Sequence, residues 1–336
     1  SFSATTRLSP SASVSVSPRS IRMRISAAVA VSRSSGFKFL DATYFLANSP
    51  FAGPDGRNGM QTFCAGPRIS GAQFWDLDAW SDASTAPNTP HNIPSAPQMT
   101  MAAQKLGLGL NDDIVCYDQM GLFSSPKLWY TLKHFGFRSV AVLDGGLPAW
   151  IAQGGKVDRD VLPDAEPLHA ESPSAEAPSA AIDATAAAFD QWRFKDVEAW
   201  LQESGAQKLQ VLDARSKARF DGVGAEPRPG VRSGHMPESK SLPFFGMLAP
   251  SETFASTSEN LPGGVFRGAT LRPVDELRKA CEGVDLTSPI AVTCGSGLTA
   301  AIVLLALHEL EVPKTYLYDG AWLEYEASGK PILGEA

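Results

Sequence analysis

Cys294 follows the apolar run Ile290-Ala291-Val292-Thr293 and precedes Gly295-Ser296-Gly297-Leu298-Thr299, after which Ala300 to Leu307 is unbroken apolar sequence. A short β-branched run, a small-residue loop and a helix-length segment predict strand, tight loop and helix. The Cys294 sulfur would then stand at the strand's end, ringed by the amides of Gly295 to Thr299 and facing a helix N-terminus. Amide hydrogens and the positive end of a helix dipole favour an anion there. The thiolate is the form of cysteine that attacks an electrophile, so Cys294 is the candidate nucleophile.

Three chemistries compete for this loop. Gly295-x-Gly297-x-x-Ala300 between strand and helix matches a dinucleotide fingerprint, and Asp319 lies near the distance of a ribose-binding acid. Against it, Asp319-Gly320 has a counterpart, Asp144-Gly145, earlier in the chain. A cysteine phosphatase needs an arginine after five intervening residues to bind phosphoryl oxygens, and that position is the uncharged Ala300. A structural cysteine in a glycine-rich turn is the third reading.

The elements that must hold Cys294 occur twice. A strand ends at Asp41 and another, Leu209 to Leu212, at Asp213; Arg68 to Trp75 answers Gly234 to Phe244; the strand Asp113 to Asp118 answers Ile290 to Cys294; and Leu143-Asp144-Gly145 answers Tyr318-Asp319-Gly320. Helices are predicted over Met99 to Leu106, Ser125 to Phe135 and Lys195 to Glu203, and loops over Asn48 to Gly59 and, at the surface, Ser84 to Pro97. Strands alternating with helices indicate α/β domains with mainly parallel sheets. The chain divides into a leader (1–24), a first domain (25–157), an Ala/Pro/Ser-rich linker (158–188) and a second domain (189–336), the two domains being copies of one unit. Asp118 holds the position of Cys294 in the first copy. It is no sulfur nucleophile, so only the second copy carries the chemistry.

Composition narrows the partners. A net charge of −7 argues against nucleic acid and anionic membranes. No apolar run approaches the roughly 18 residues of a spanning helix. The four cysteines form no C-x-x-C pair and the five histidines are scattered, which suggests neither a disulfide framework nor a metal site and fits a reducing compartment. Cys64, Cys116 and Cys281 read as buried apolar residues or incidental thiols. Residues 1–24 are rich in Ser and Arg, and no acid precedes Asp41. That bias indicates a transit peptide, with the mitochondrion as destination and plastid or cytoplasm as alternatives.

After the leader, the chain resembles the tandem-domain rhodanese-fold sulfurtransferases. The resemblance rests on Asp213-Ala214-Arg215-Ser216, Arg219-Phe220, Glu226-Pro227-Arg228, Gly234-His235-Met236-Pro237, Cys294 to Thr299, Tyr318 to Trp322 and Leu143 to Trp150. It is nearest the 3-mercaptopyruvate sulfurtransferases, because Gly295 and Ser296 stand where thiosulfate-preferring members usually carry cations.

The resemblance implies a Cys294 persulfide, release of pyruvate, and thioredoxin, a small thiol or cyanide as sulfur acceptor, with no metal or organic cofactor. It implies that Arg219 and Arg228 hold the substrate's carboxylate and keto oxygen and that Ser296 assists proton movement. It also implies that the loop residues Gly295, Gly297, Leu298 and Thr299 line the substrate site, and that Arg68, where many members have His, adds a positive group. His235 reads as structural. Ser70 and Glu238 depart from the family's usual Pro and Gly, and the segment from Phe245 to Thr270 is longer than in the family. Two other readings stand beside this one: a thiosulfate:cyanide sulfurtransferase, and a non-enzymatic persulfide carrier or redox sensor.

Overall fold

The computed structural model describes residues 23–46, 52–86, 89–163, 182, 189–205, 208–250 and 268–334. Most of the leader, most of the linker and residues 251–267 therefore lie outside the described residues. Two five-stranded sheets are built on one plan. The first runs Arg24–Ser26, Ser139–Asp144, Asp113–Tyr117, Lys38–Asp41, Gln73–Phe74, and every neighbouring pair is parallel. The second runs Asp190–Trp192, Thr315–Tyr318, Ile290–Thr293, Gln210–Asp213, Lys240–Ser241, again all parallel. Position for position the orders agree, so the repeat seen in the sequence is a repeat of topology.

The central strands are covered on both faces, which is why Asp113–Tyr117 and Ile290–Thr293 read as apolar runs without alternation. The helices that follow them, Ser125–His134 and Ala300–Glu309, pack on each other across the domain boundary. Ala300 to Leu307 is consequently buried on every side, its outer face against the other domain. Each fully buried Leu, Ile or Val there contributes about 1.5–3 kcal/mol. The largest core cluster joins residues of both domains, from Leu40 and Trp129 to Cys294 and Leu305.

Three expectations are corrected. Ser84 to Pro97 is not a surface loop: helix Ala96–Lys105 already starts within it, and Thr89, His91, Asn92 and Ile93 are buried. Its backbone is satisfied from within: the Asn92 side-chain amide donates to the carbonyls of Asp82, Ala86 and Thr89, and the Ile93 amide donates to Asp319. Helix Gly59–Ala65 starts where a loop was expected to end, launched by a capping box between Asn58 and Gln61. Arg24, assigned to the leader, is a sheet residue that pairs with Asp144 at 2.9 Å.

Candidate active site

The first copy shows what the loop after the central strand is built to hold. Asp118 Oδ1 accepts the amides of Met120 and Gly121 at 3.0 and 2.8 Å. Its Oδ2 accepts those of Phe123, Ser124 and Ser125 at 2.9, 3.0 and 2.9 Å, and the Ser125 hydroxyl at 2.7 Å. Five converging amides form an anion cradle, and Asp118 fills it with a carboxylate. In the second copy Cys294 starts the same loop, and among the described residues no acceptor pairs with the amides of Ser296, Gly297 or Thr299. The loop thus keeps the place of the Asp118 loop, with a cysteine where the first copy has a built-in anion.

Cys294 is buried, and its carbonyl is pinned by the Trp322 amide at 2.9 Å, as the Gly295 carbonyl is by Leu323 at 3.2 Å. Ser296 and Leu298 are buried beside it, and Thr299 occupies the helix N-cap position without a side-chain capping bond. Gly297 adopts φ +76°, open to glycine and strained for other residues. A Cβ at Gly297 would stand 2.9 Å from Asp319 Oδ1 and 3.3 Å from Lys127 Nζ. The loop thus rests directly on a buried ion pair between the domains.

Arg219 reaches the loop at Gly295: a Cβ there would lie 2.8 Å from a nitrogen of the Arg219 guanidinium. Its head is aimed by Glu226, which accepts from Nε at 3.0 Å and from Nη2 at 2.5 Å. Glu226 also accepts from Arg215 at 2.9 Å, while Arg215 forks onto Asp213, donates to the Gly234 carbonyl and lies 4.1 Å over the Trp322 ring. Burial opposes the Arg215 charge, but Asp213 and Glu226 outweigh it and hold its pKa above the ordinary value. This chain of charges sits at the ends of the two strands that flank the loop, Asp213 being the register partner of Thr293. The first copy has Thr43 in place of Arg215, and burial pushes Asp41, the counterpart of Asp213, up to about 7.

Arg228 is half-buried, and among the described residues no carboxylate pairs with it. Its charge acts on first-domain groups. Burial pushes the Tyr44 hydroxyl up to about 12, Asp78 adds to that, and Arg228 works against it. Burial also pushes the His91 imidazole down, with Asp78 opposing and Lys127 and Arg228 reinforcing the shift. Tyr44 and His91 lie edge to face at 4.2 Å. Arg228 therefore faces the first domain while Arg219 faces the sulfur loop.

Arg68 is engaged elsewhere. Its guanidinium binds the Asp160 carbonyl and carboxylate at 2.9 and 2.8 Å and lies 5.6 Å from the Phe63 ring, beside the two-stranded antiparallel pairing of Arg68–Ile69 with Val157–Asp158. Neither partner belongs to the Cys294 loop. His235 stacks on Phe220 at 3.8 Å and bonds its carbonyl. Burial pushes the Cys281 thiol up to about 11 and raises Cys116 as well, so both are kept protonated. Sequence reasoning missed the roles of Glu226 and Lys127. One signal was present: Lys127 lies in the first turn of helix Ser125–His134, where the dipole disfavours a cation unless an acid holds it.

Known proteins agree with this architecture. A model of the rhodanese-like domain matches residues 61–153 and 195–328, and the chain belongs to the rhodanese-like family. Among its relatives, the Arabidopsis thaliana thiosulfate/3-mercaptopyruvate sulfurtransferase 2 is 35% identical, over 89% of this chain and 82% of that protein. The Escherichia coli 3-mercaptopyruvate sulfurtransferase is 36% identical over 82% of this chain and 85% of its own length. The crystal structure of SseA from Escherichia coli, described as a 3-mercaptopyruvate sulfotransferase, superposes with a TM-score of 0.64 at 29% identity, covering 89% of this chain and 98% of that one. A yeast mitochondrial complex I sulfur transferase subunit gives 0.74 at 27% identity, covering 94% and 100%.

Proposed function

We propose that this chain takes sulfur from 3-mercaptopyruvate onto Cys294 and passes it to a thiol acceptor. It is an enzyme of the 3-mercaptopyruvate sulfurtransferase class, as its relatives over most of its length are. The observation that carries the persulfide reading is the pair of loops: one cradle filled by the Asp118 carboxylate, the other opened by Cys294, with the amides of Ser296, Gly297 and Thr299 having no acceptor among the described residues.

The Cys294 thiolate attacks the substrate's sulfur. A sulfur–sulfur bond forms, the carbon–sulfur bond breaks, and its electron pair leaves on carbon as the pyruvate enolate. The proton of the substrate thiol ends on that carbon, with Ser296 suited to relay it, and the Cys294 persulfide is left as an anion in the cradle. Arg228 is suited to the substrate carboxylate, having no competing carboxylate among the described residues, and Arg219 to the keto oxygen nearest the sulfur. Gly295, Gly297, Leu298 and Thr299 supply the wall and the amides. An acceptor thiol then takes the outer sulfur as its own persulfide and restores the Cys294 thiolate, a ping-pong scheme. Thioredoxin, a small thiol or cyanide would serve as acceptor. We assign the enzyme to the mitochondrion, a destination printed in the name of one plant relative.

Pyruvate release from 3-mercaptopyruvate tests this, with thiosulfate as rival substrate and Cys294→Ser as control. Turnover that is rapid with 3-mercaptopyruvate and vanishes in the variant is expected. No pyruvate from the wild type would favour a carrier protein, and activity surviving the substitution would remove Cys294 from the mechanism.

A further inference from the structure

The loop that must hold an anionic sulfur rests on a carboxylate. Asp319 Oδ1 would lie 2.9 Å from a Gly297 Cβ, and Asp319 is 1% exposed. A buried anion under an anion cradle opposes the cradle's purpose, because like charges at short range disfavour the charged form. Lys127, reaching over from the first domain, is also 1% exposed and bonds that same oxygen, with its ammonium 3.3 Å from the Gly297 Cβ position. Asp319 Oδ2 is taken by the Ile93 amide at 2.5 Å and the Gln191 side chain at 3.2 Å.

We infer that Lys127 is a positioning residue for the sulfur chemistry: the counter-ion, supplied by the non-catalytic domain, that lets Asp319 anchor the loop without repelling the anion above it. Buried ion pairs cost desolvation and are a poor source of net stability, so specificity of arrangement is a better account of this one than added strength. Other charged or titratable groups face the same place. His91 and His134 feel Lys127, Tyr130 and Glu324 feel Asp319, and Arg219 with its partner Glu226 approaches the loop at Gly295. None of them bonds Asp319 Oδ1.

The inference rests on Cys294 being the reactive sulfur and not on the identity of the substrate. Its test is the rate at which Cys294 is alkylated by iodoacetamide in the full chain, followed by mass spectrometry of the Cys294 peptide across the neutral pH range. Lys127→Met should slow alkylation about tenfold near neutrality. Lys127→Arg should stay near wild type. Lys127→Met combined with Asp319→Asn should recover most of the lost rate, since the unpaired carboxylate is gone. If the double variant is as slow as Lys127→Met, the pair is only a clasp between domains and the inference is wrong; equal rates in all four proteins overturn it too. Should Lys127→Met fail to fold, Asp319→Asn alone decides: faster alkylation supports the inference, unchanged or slower alkylation overturns it. Wild-type Cys294 reacting no faster than an ordinary buried thiol would instead count against Cys294 as nucleophile.

Discussion

The amide of Ile93 in the first domain donates to the Asp319 carboxylate of the second at 2.5 Å. The reverse contact exists: the amide of Leu271 in the second domain donates to Asp144 of the first at 2.9 Å. Each domain thus offers one backbone amide to the other's aspartate at the end of, or just after, the strand Ser139–Asp144 or Thr315–Tyr318. The side-chain partners repeat as well. Arg24 and Gln191 hold the same register position on matching edge strands and bond Asp144 and Asp319 respectively. The boundary between the domains has an approximate twofold plan, and the Cys294 loop is built into it.

The filled cradle of the first copy makes Asp118→Asn a test of what that loop holds. Asparagine keeps the shape but turns one of the two acceptor oxygens, each bonded to amides, into a donor. Stability should fall by about 2–4 kcal/mol, read as a lower midpoint in urea, while activity per folded molecule stays at the wild-type level. An unchanged midpoint would mean the amides do not depend on the charge.

Two neighbouring glycines should respond differently to alanine. At Gly297 the new Cβ meets Asp319 and the backbone needs φ +76°, so Gly297→Ala should cost about 1–3 kcal/mol and at least tenfold in kcat. At Gly295 the clash is only with the flexible end of Arg219. Gly295→Ala should lower kcat/KM with little change in melting temperature. Thermal melts alongside pyruvate release separate the two.

Arg228→Lys keeps a charge but loses the planar fork. We expect KM for 3-mercaptopyruvate to rise by about 10- to 100-fold with a smaller change in kcat, the pattern of a carboxylate anchor. A fall in kcat at unchanged KM would place Arg228 at the reacting atoms instead.

Burial pushes the His308 imidazole down to about 4, with Lys133 adding to the shift. The unfolded chain then binds a proton that the folded state refuses between about pH 6.5 and 4. The stability this neutral histidine allows is fully present above pH 6.5 and is lost as pH falls toward 4, up to roughly 3 kcal/mol. His308→Gln, which keeps a polar partner for Thr315, should lose less stability than wild type over that interval. Urea titrations at several pH values would show the two curves converging; parallel curves would refute the assignment.

The strands, their parallel order and the duplication were legible because local periodicity and spacing carry them. Cys294, its loop and the helix after it were legible for the same reason: three consecutive elements in under twenty residues. What the sequence hid lies across the domain boundary. Lys127 and Asp319 are 192 positions apart, and no local pattern links them. Thr89 to Ile93 looked solvated because polar, Pro-flanked residues usually are, yet Asn92 and Asp319 stand in for water. Arg68 shows the same limit: a motif position pointed to the substrate site, and the partner its guanidinium has, Asp160, is a residue without motif value 92 positions away.

One asymmetry in the twofold plan has a direction. Asp144 finds its cation, Arg24, within its own half, whereas Asp319 draws its cation from the other half. Counting from Asp118 and Cys294, the position of Lys127 falls on Val303, which is fully buried and bears no charge to return the favour. Divide the chain in the linker, and the first half keeps its aspartate neutralised, while the second half, which holds Cys294, is left with a carboxylate that has Gln191 but no cation against its Gly297 loop. Duplication has left the first half self-sufficient in charge and the second half its tenant.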